Sequence, residues 1–142
     1  MVGVIIITHG DFGEKLLESA QNIIGTQRLV AAISISYAES PAVVKEKLEK
    51  QLMSSNLADG WLVLTDMVGG TPCNVCMTFV EKLKDKLAVI SGVNMYMLLS
   101  VFTHREMLNL TELKNKVIED AQASIMDVKE KFLKLHPNKC TE

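Results

Sequence analysis

Residues 2–8 (VGVIIIT) run without a charged residue and are mostly β-branched. A strand with one face in water alternates apolar and polar positions. A continuous apolar run instead belongs in a sheet covered on both faces, where parallel strands joined by helices are found. A second such run, Trp61–Asp66 (WLVLTD), reads the same way. Leu29–Ser36 and Leu87–Val93 supply two further strands. Parallel neighbours need long crossovers, so helices must lie between these runs. The expected fold class is α/β: a three-layer sandwich with a mainly parallel sheet of order 2-1-3-4 flanked by helices, its crossovers right-handed.

The helical segments carry their own punctuation. Asp11 with Glu14 three residues on predicts an acidic N-cap, and Phe12, Leu16, Ala20, Ile23 and Ile24 recur at helical spacing up to a stop at Gly25. Ser40-Pro41 opens a second helix with Val44, Leu48 and Leu52 inward. Thr71-Pro72 opens a third, with Thr71 as N-cap and Val75, Cys76, Phe79, Val80 and Leu83 along one side. Asn94 caps a fourth through about Phe102. Thr111 to about Leu135 is mostly helical, but Ser124–Val128 reads equally as a short antiparallel edge strand.

At 142 residues the chain has the length of one domain, taken as residues 1–142, and can bury a core without disulfides or metal. Apolar residues at 48% and charged residues at 23% exclude disorder and collagen as descriptions of the whole chain. A net charge of −2 offers no field for nucleic acid or an anionic membrane. Cys73, Cys76 and Cys140 leave one thiol over however they pair, which suits a reducing compartment. No basic region precedes the apolar start, and no stretch approaches the ~18 apolar residues of a membrane span. The expectation is a cytoplasmic protein with no direct membrane insertion.

In an open sheet of this order, ligands bind beyond the carboxyl ends of the strands where the order reverses, between the first and third strands. The polar residues at those two ends are His9 and Asp66. An imidazole that is neutral near pH 7 can act as a nucleophile, and a carboxylate on one ring nitrogen leaves the other with its lone pair free. Aspartate in such a place can instead cap its own turn. Gly69-Gly70-Thr71-Pro72 follows, two glycines that admit close backbone approach and a helix start whose N–H groups bind anions. Imidazole, carboxylate and anion cradle at one sheet edge suggest phosphoryl transfer through His9, with Asp66 bracing the ring and Gly69, Gly70 and Thr71 holding the phosphoryl oxygens. The G-x-x-x-x-G-K-[ST] nucleotide motif is missing, so the donor is expected to be a phosphoprotein. No cofactor is expected. A metal bound by His9, Asp66 and Cys73 would lack a fourth ligand and a recognisable spacing.

The segments VIIITHGDFGEKLL, LTDMVGGTPCN and VISGVNMYMLL resemble the mannose-type enzyme IIA domain of the bacterial phosphoenolpyruvate:sugar phosphotransferase system, in the same order and over the whole chain. The resemblance implies that His9 carries the phosphoryl group, that Asp66 bonds its ring and that Thr71 helps hold the phosphate. It implies a homodimer able to exchange a C-terminal strand, for which Ser124–Val128 is the candidate. It implies HPr, the histidine phosphocarrier, as donor and a IIB protein feeding a membrane sugar permease as acceptor. With no IIB domain in the sequence, that acceptor is expected to be a separate protein. Tyr96 stands where the family commonly has proline.

Other readings compete. Cys73-x-x-Cys76 opens a helix as thiol-redox motifs do, although two cysteines at this spacing also pack as small apolar residues. Thr8-His9-Gly10 is similar to the R-H-G of histidine phosphatases, but threonine stands in place of their arginine. The phosphotransfer subunit of dihydroxyacetone kinase also begins with a strand and a histidine, while Gly-Gly-Thr-Pro-x-Asn argues for the sugar-transport branch. A regulatory module that uses phosphohistidine as a signal would carry the same residues as a carrier.

Overall fold

The computed structural model describes residues 1–136. Cys140 lies outside the described residues. Strands and helices alternate as β1 (Gly3–His9), α1 (Phe12–Ile24), β2 (Val30–Ile35), α2 (Pro41–Leu52), β3 (Trp61–Thr65), α3 (Thr71–Leu83), β4 (Leu87–Ser91) and α4 (Met95–His104), followed by α5 (Leu110–Ala123) and α6 (Val128–Leu135). The four strands form one sheet of order β2-β1-β3-β4, every pair parallel. The expected architecture is therefore the observed one.

Successive residues of β1 point to opposite faces, and both faces are covered. Val4 and Ile6 pack with Leu62, Leu64 and Ile90 beneath Ala20 of α1, Leu98 and Val101 of α4, and Leu113 and Val117 of α5. Ile5 and Ile7 pack with Ile33, Ile35 and Val63 beneath Val44 and Leu48 of α2 and Val75, Cys76 and Phe79 of α3. Burying a side chain of this size is worth about 1.5–3 kcal/mol, which is why β1 and β3 tolerate no polar residue until their carboxyl ends. That rule places the chemistry at one rim.

Two local expectations change, and a third reading that was open is decided within the chain. The first concerns the start of α1. Asp11 makes no side-chain cap, because its φ of −87° and ψ of 9° depart from the extended conformation that aims a capping side chain. The buried Thr8 hydroxyl accepts from Gly13 N–H at 2.8 Å instead, so the end of β1 caps the following helix. The second concerns α3. Gly70 takes the extended capping conformation and its carbonyl accepts the first helical N–H, that of Asn74, at 3.0 Å, which makes Thr71 a helical residue and leaves its hydroxyl free of the capping task.

The third concerns Ser124–Val128, which the sequence left open between helix and strand and which forms no strand within the chain. Ser124 ends α5, Ile125–Asp127 connect, and Val128 begins α6. The Asp127 carboxylate accepts from Glu130 N–H at 3.0 Å, and this cap favours a helix start where the apolar run alone allowed a strand. No described residue of the segment pairs with β2 or β4 within the chain.

Replacing Thr8 by valine keeps the shape and orphans Gly13 N–H. Urea denaturation should show a loss of about 1–3 kcal/mol. Asp11→Ala should cost less, no more than ~1 kcal/mol through the helix dipole. Equal losses would mean that Asp11 shares the capping.

Candidate functional site

His9 is the last residue of β1 and Asp66 follows the last residue of β3, its direct neighbour in the sheet. The two side chains meet: Asp66 Oδ2 lies 2.7 Å from His9 Nδ1 and also accepts from the His9 backbone N–H at 2.9 Å. Asp66 Oδ1 accepts from Met67 N–H at 2.8 Å. The carboxylate thus joins the ends of two strands and the turn that leaves the second. It holds a capping bond to its own turn and the ring at the same time, so the two readings of Asp66 are both realised.

This bonding assigns the tautomer. Burial of the Asp66 carboxyl raises its pKa, but the bonds from His9 N–H, the His9 ring and Met67 N–H outweigh burial and hold it below the usual 3.8. An ionised carboxylate only accepts, so Nδ1 carries the proton, and in the neutral ring the lone pair is on Nε2. The His9 side chain is 47% exposed and Asp66 17%, so solvent reaches the ring while its brace is shielded.

The ring edge that bears Nε2 faces the start of α3. A Cβ placed on Gly70 would stand 2.8 Å from His9 Cε1 and 3.5 Å from Nε2. Glycine is required here for space, since its φ of −74° suits any residue. Gly69, at φ +80°, is required for conformation. Asn74 Nδ2 donates to Gly69 O at 3.1 Å and pins the turn from inside the helix. The amides of Thr71 and Cys73 precede Asn74, whose N–H makes the first intrahelical bond, and Pro72 has no N–H, so free donors and the positive helix end lie at the start of α3 that the ring edge faces. Such an end suits an anion bonded to the ring nitrogen.

The structure thus brings His9, Asp66 and Gly70 into contact, with Gly69 and Thr71 flanking Gly70. Asn74 and the Cys73 amide were not singled out from the sequence as functional residues. Asn74 stands in the Gly-Gly-Thr-Pro-x-Asn segment, and its spacing from Gly69 was the available signal. A further tie was invisible: Thr65 carbonyl accepts from both Gly92 and Val93 N–H at 2.9 Å, fastening the loop before α4 to the end of β3. Among the described residues, no group of three His, Cys, Asp or Glu side chains could hold a metal ion. Cys73 is half-buried, and Cys76 is fully buried with its thiol pushed up to about 12 by burial and by Cys73.

The family model described as PTS system fructose IIA component matches residues 3–118. The chain belongs to this fructose/mannose IIA family of the phosphotransferase system. The fructose-specific EIIA component of Bacillus subtilis is 33% identical over 124 residues, covering 87% of this chain and 84% of that protein. The mannose-specific EIIAB component of Escherichia coli is 33% identical over 105 residues, which span 74% of this chain but 32% of that protein. The solved EIIA component of Streptococcus agalactiae superposes with a TM-score of 0.84 at 32% identity, covering 92% of this chain and 99% of that one. EIIA components are phosphotransferase-type proteins, and this chain is one of the mannose/fructose class. No described helix is long and apolar enough to cross a membrane.

The lowered pKa of Asp66 sets a pH dependence. A carboxyl with a folded pKa below its unfolded value adds stability above the unfolded value, and that stability is lost as pH falls through the folded one. The stability difference between the wild-type EIIA component and Asp66→Asn should therefore be constant near neutrality and shrink as pH drops below about 3.8. Urea denaturation across that range measures it, and a difference unchanged by acid would remove the ionised carboxylate from the account.

Proposed function

We propose that this EIIA component carries a phosphoryl group on His9 Nε2, taking it from HPr and passing it to a separate IIB protein that serves a membrane sugar permease of the mannose/fructose class. The observation that carries the reading is the 2.7 Å contact of Nδ1 with Asp66, which leaves the Nε2 lone pair at the start of α3. Nε2 attacks phosphorus as the bond to the donor imidazole breaks. The positive charge that develops on the His9 ring is balanced by Asp66. Gly69, Gly70 and Thr71 hold the phosphoryl oxygens through backbone N–H groups and the uncommitted Thr71 hydroxyl. Transfer onward reverses the same steps on a second partner. Met67 and Val68, both exposed on the loop beside the ring, supply apolar surface for either protein to cover. The work is cytoplasmic and uses residues 1–142 as one domain without a cofactor.

Incubation with phosphoenolpyruvate, enzyme I and HPr should place one acid-labile phosphoryl group per chain on His9, mapped by mass spectrometry. Gly70→Ala keeps the backbone conformation but drives a methyl into the ring. A displacement of ~1 Å costs on the order of a hundredfold in rate. Asp66→Asn should also slow labelling while circular dichroism stays native. Undiminished labelling of His9→Ala would end the proposal.

The active assembly is a homodimer. The free edge of β4 lies in a groove lined by Met77, Val80, Leu87 and Leu110, and Ile125, Phe132 and Leu135 are exposed at the other end of the chain. A second copy can cover both, with its C-terminal segment alongside β4. Sedimentation should give a dimer at micromolar concentration and a shift to monomer for Ile125→Glu. A wild-type monomer would contradict it.

A further inference from the structure

Cys73 and Cys76 are the third and sixth residues of α3, whose N-cap Gly70 touches His9. Both thiols are free. Residues three apart share a helix face with Cβ atoms ~5–6 Å apart, whereas a disulfide needs roughly 3.5–4.5 Å. The pair is close enough to join and too far apart to join without movement. The movement must come from the first turn, because Cys76 is fully buried among Val75, Phe79 and the strands, while Cys73 is reached by solvent. Pro72 of that turn is buried, but hydrogen bonds hold the turn at few points. Its N-cap makes no side-chain bond, Pro72 contributes no N–H, and the ties to the preceding loop are the two bonds from Asn74 to Gly69 and Gly70 carbonyls.

We infer that Cys73 and Cys76 form a reversible modification site, closed to a disulfide by a hydroperoxide, and that closure pulls the first turn of α3 away from His9. The Cys73 sulfur attacks the peroxide oxygen, the O–O bond breaks and an alcohol or water leaves, giving the sulfenic acid. The Cys76 sulfur then displaces the sulfenic oxygen as water, its own proton supplying the second hydrogen. Two thiols lose two electrons in all, and one peroxide is reduced to an alcohol and water. The burial that makes Cys76 a poor nucleophile also means that the bond forms when the turn opens, so the oxidised protein is one whose anion cradle is disassembled.

The effect on labelling rests on the phosphoryl-carrier reading; the disulfide does not, and the experiment separates them. The full-length protein is treated with hydrogen peroxide, peptide-mapped, and assayed for labelling by HPr-phosphate before and after dithiothreitol. The expected result is a Cys73–Cys76 peptide lighter by two hydrogens and labelling slowed at least ~10-fold. Dithiothreitol should restore the rate, and Cys73→Ser should label at the same rate with and without peroxide. Free thiols after treatment, a Cys73–Cys140 bond, a sulfinic acid at Cys73 without a disulfide, or a disulfide that leaves labelling unchanged would each overturn it. Failure of the reduced protein to label at all, with the disulfide formed, would defeat the carrier reading and leave the modification site standing.

Discussion

One carboxylate ties the site together. Asp66 accepts the His9 backbone N–H, the His9 ring and Met67 N–H, so a single group sets the spacing of β1 and β3 at their carboxyl ends, the tautomer of the imidazole and the direction in which the chain leaves β3. These bonds favour the charged form against its burial, and the charge in turn selects which ring nitrogen faces outward. A ring held by one bond could swing. Here the backbone of the same histidine is anchored to the same oxygen, and Gly70 closes off the other side.

The sheet creates the place for this arrangement. The chain passes from β1 outward to β2, then returns across β1 to β3 and continues to β4. Helices α1 and α4 therefore cover one face and α2 and α3 the other. At the rim between β1 and β3 the departing loops separate, and a gap opens in which polar side chains can meet solvent. Both strands are apolar up to that rim because both faces are covered, and the first polar groups beyond the core face one another.

Much of this was legible from residue order. The uninterrupted runs at Val4–Ile7 and Trp61–Leu64 left no arrangement but a sheet buried on both sides, and the intervening helical spacing completed the layer count. His9 and Asp66 stood out as the polar residues that end those runs. The two misreadings share a cause. Asp11 and Thr71 were read as caps from local propensity, but a cap depends on which acceptor reaches an N–H in space. Thr8 reaches Gly13 from the strand, and Gly70 takes the extended conformation ahead of Thr71. Ser124–Val128, open between helix and strand in the sequence, is decided within the chain by the Asp127 cap.

Periodicity and strand-end chemistry are properties of neighbours along the chain, and they sufficed for the fold class and for singling out His9 and Asp66, the polar pair that meets at the rim. Other features join residues distant in sequence. The choice of Nδ1 as the bonded nitrogen, the closeness of Gly70 to the ring and the fastening of Gly92 and Val93 to Thr65 arise when β3, α3 and β4 are packed beside β1. Hydrogen bonds have direction, and direction across a sheet is set by register and by the angle at which each loop departs, neither of which a linear pattern records.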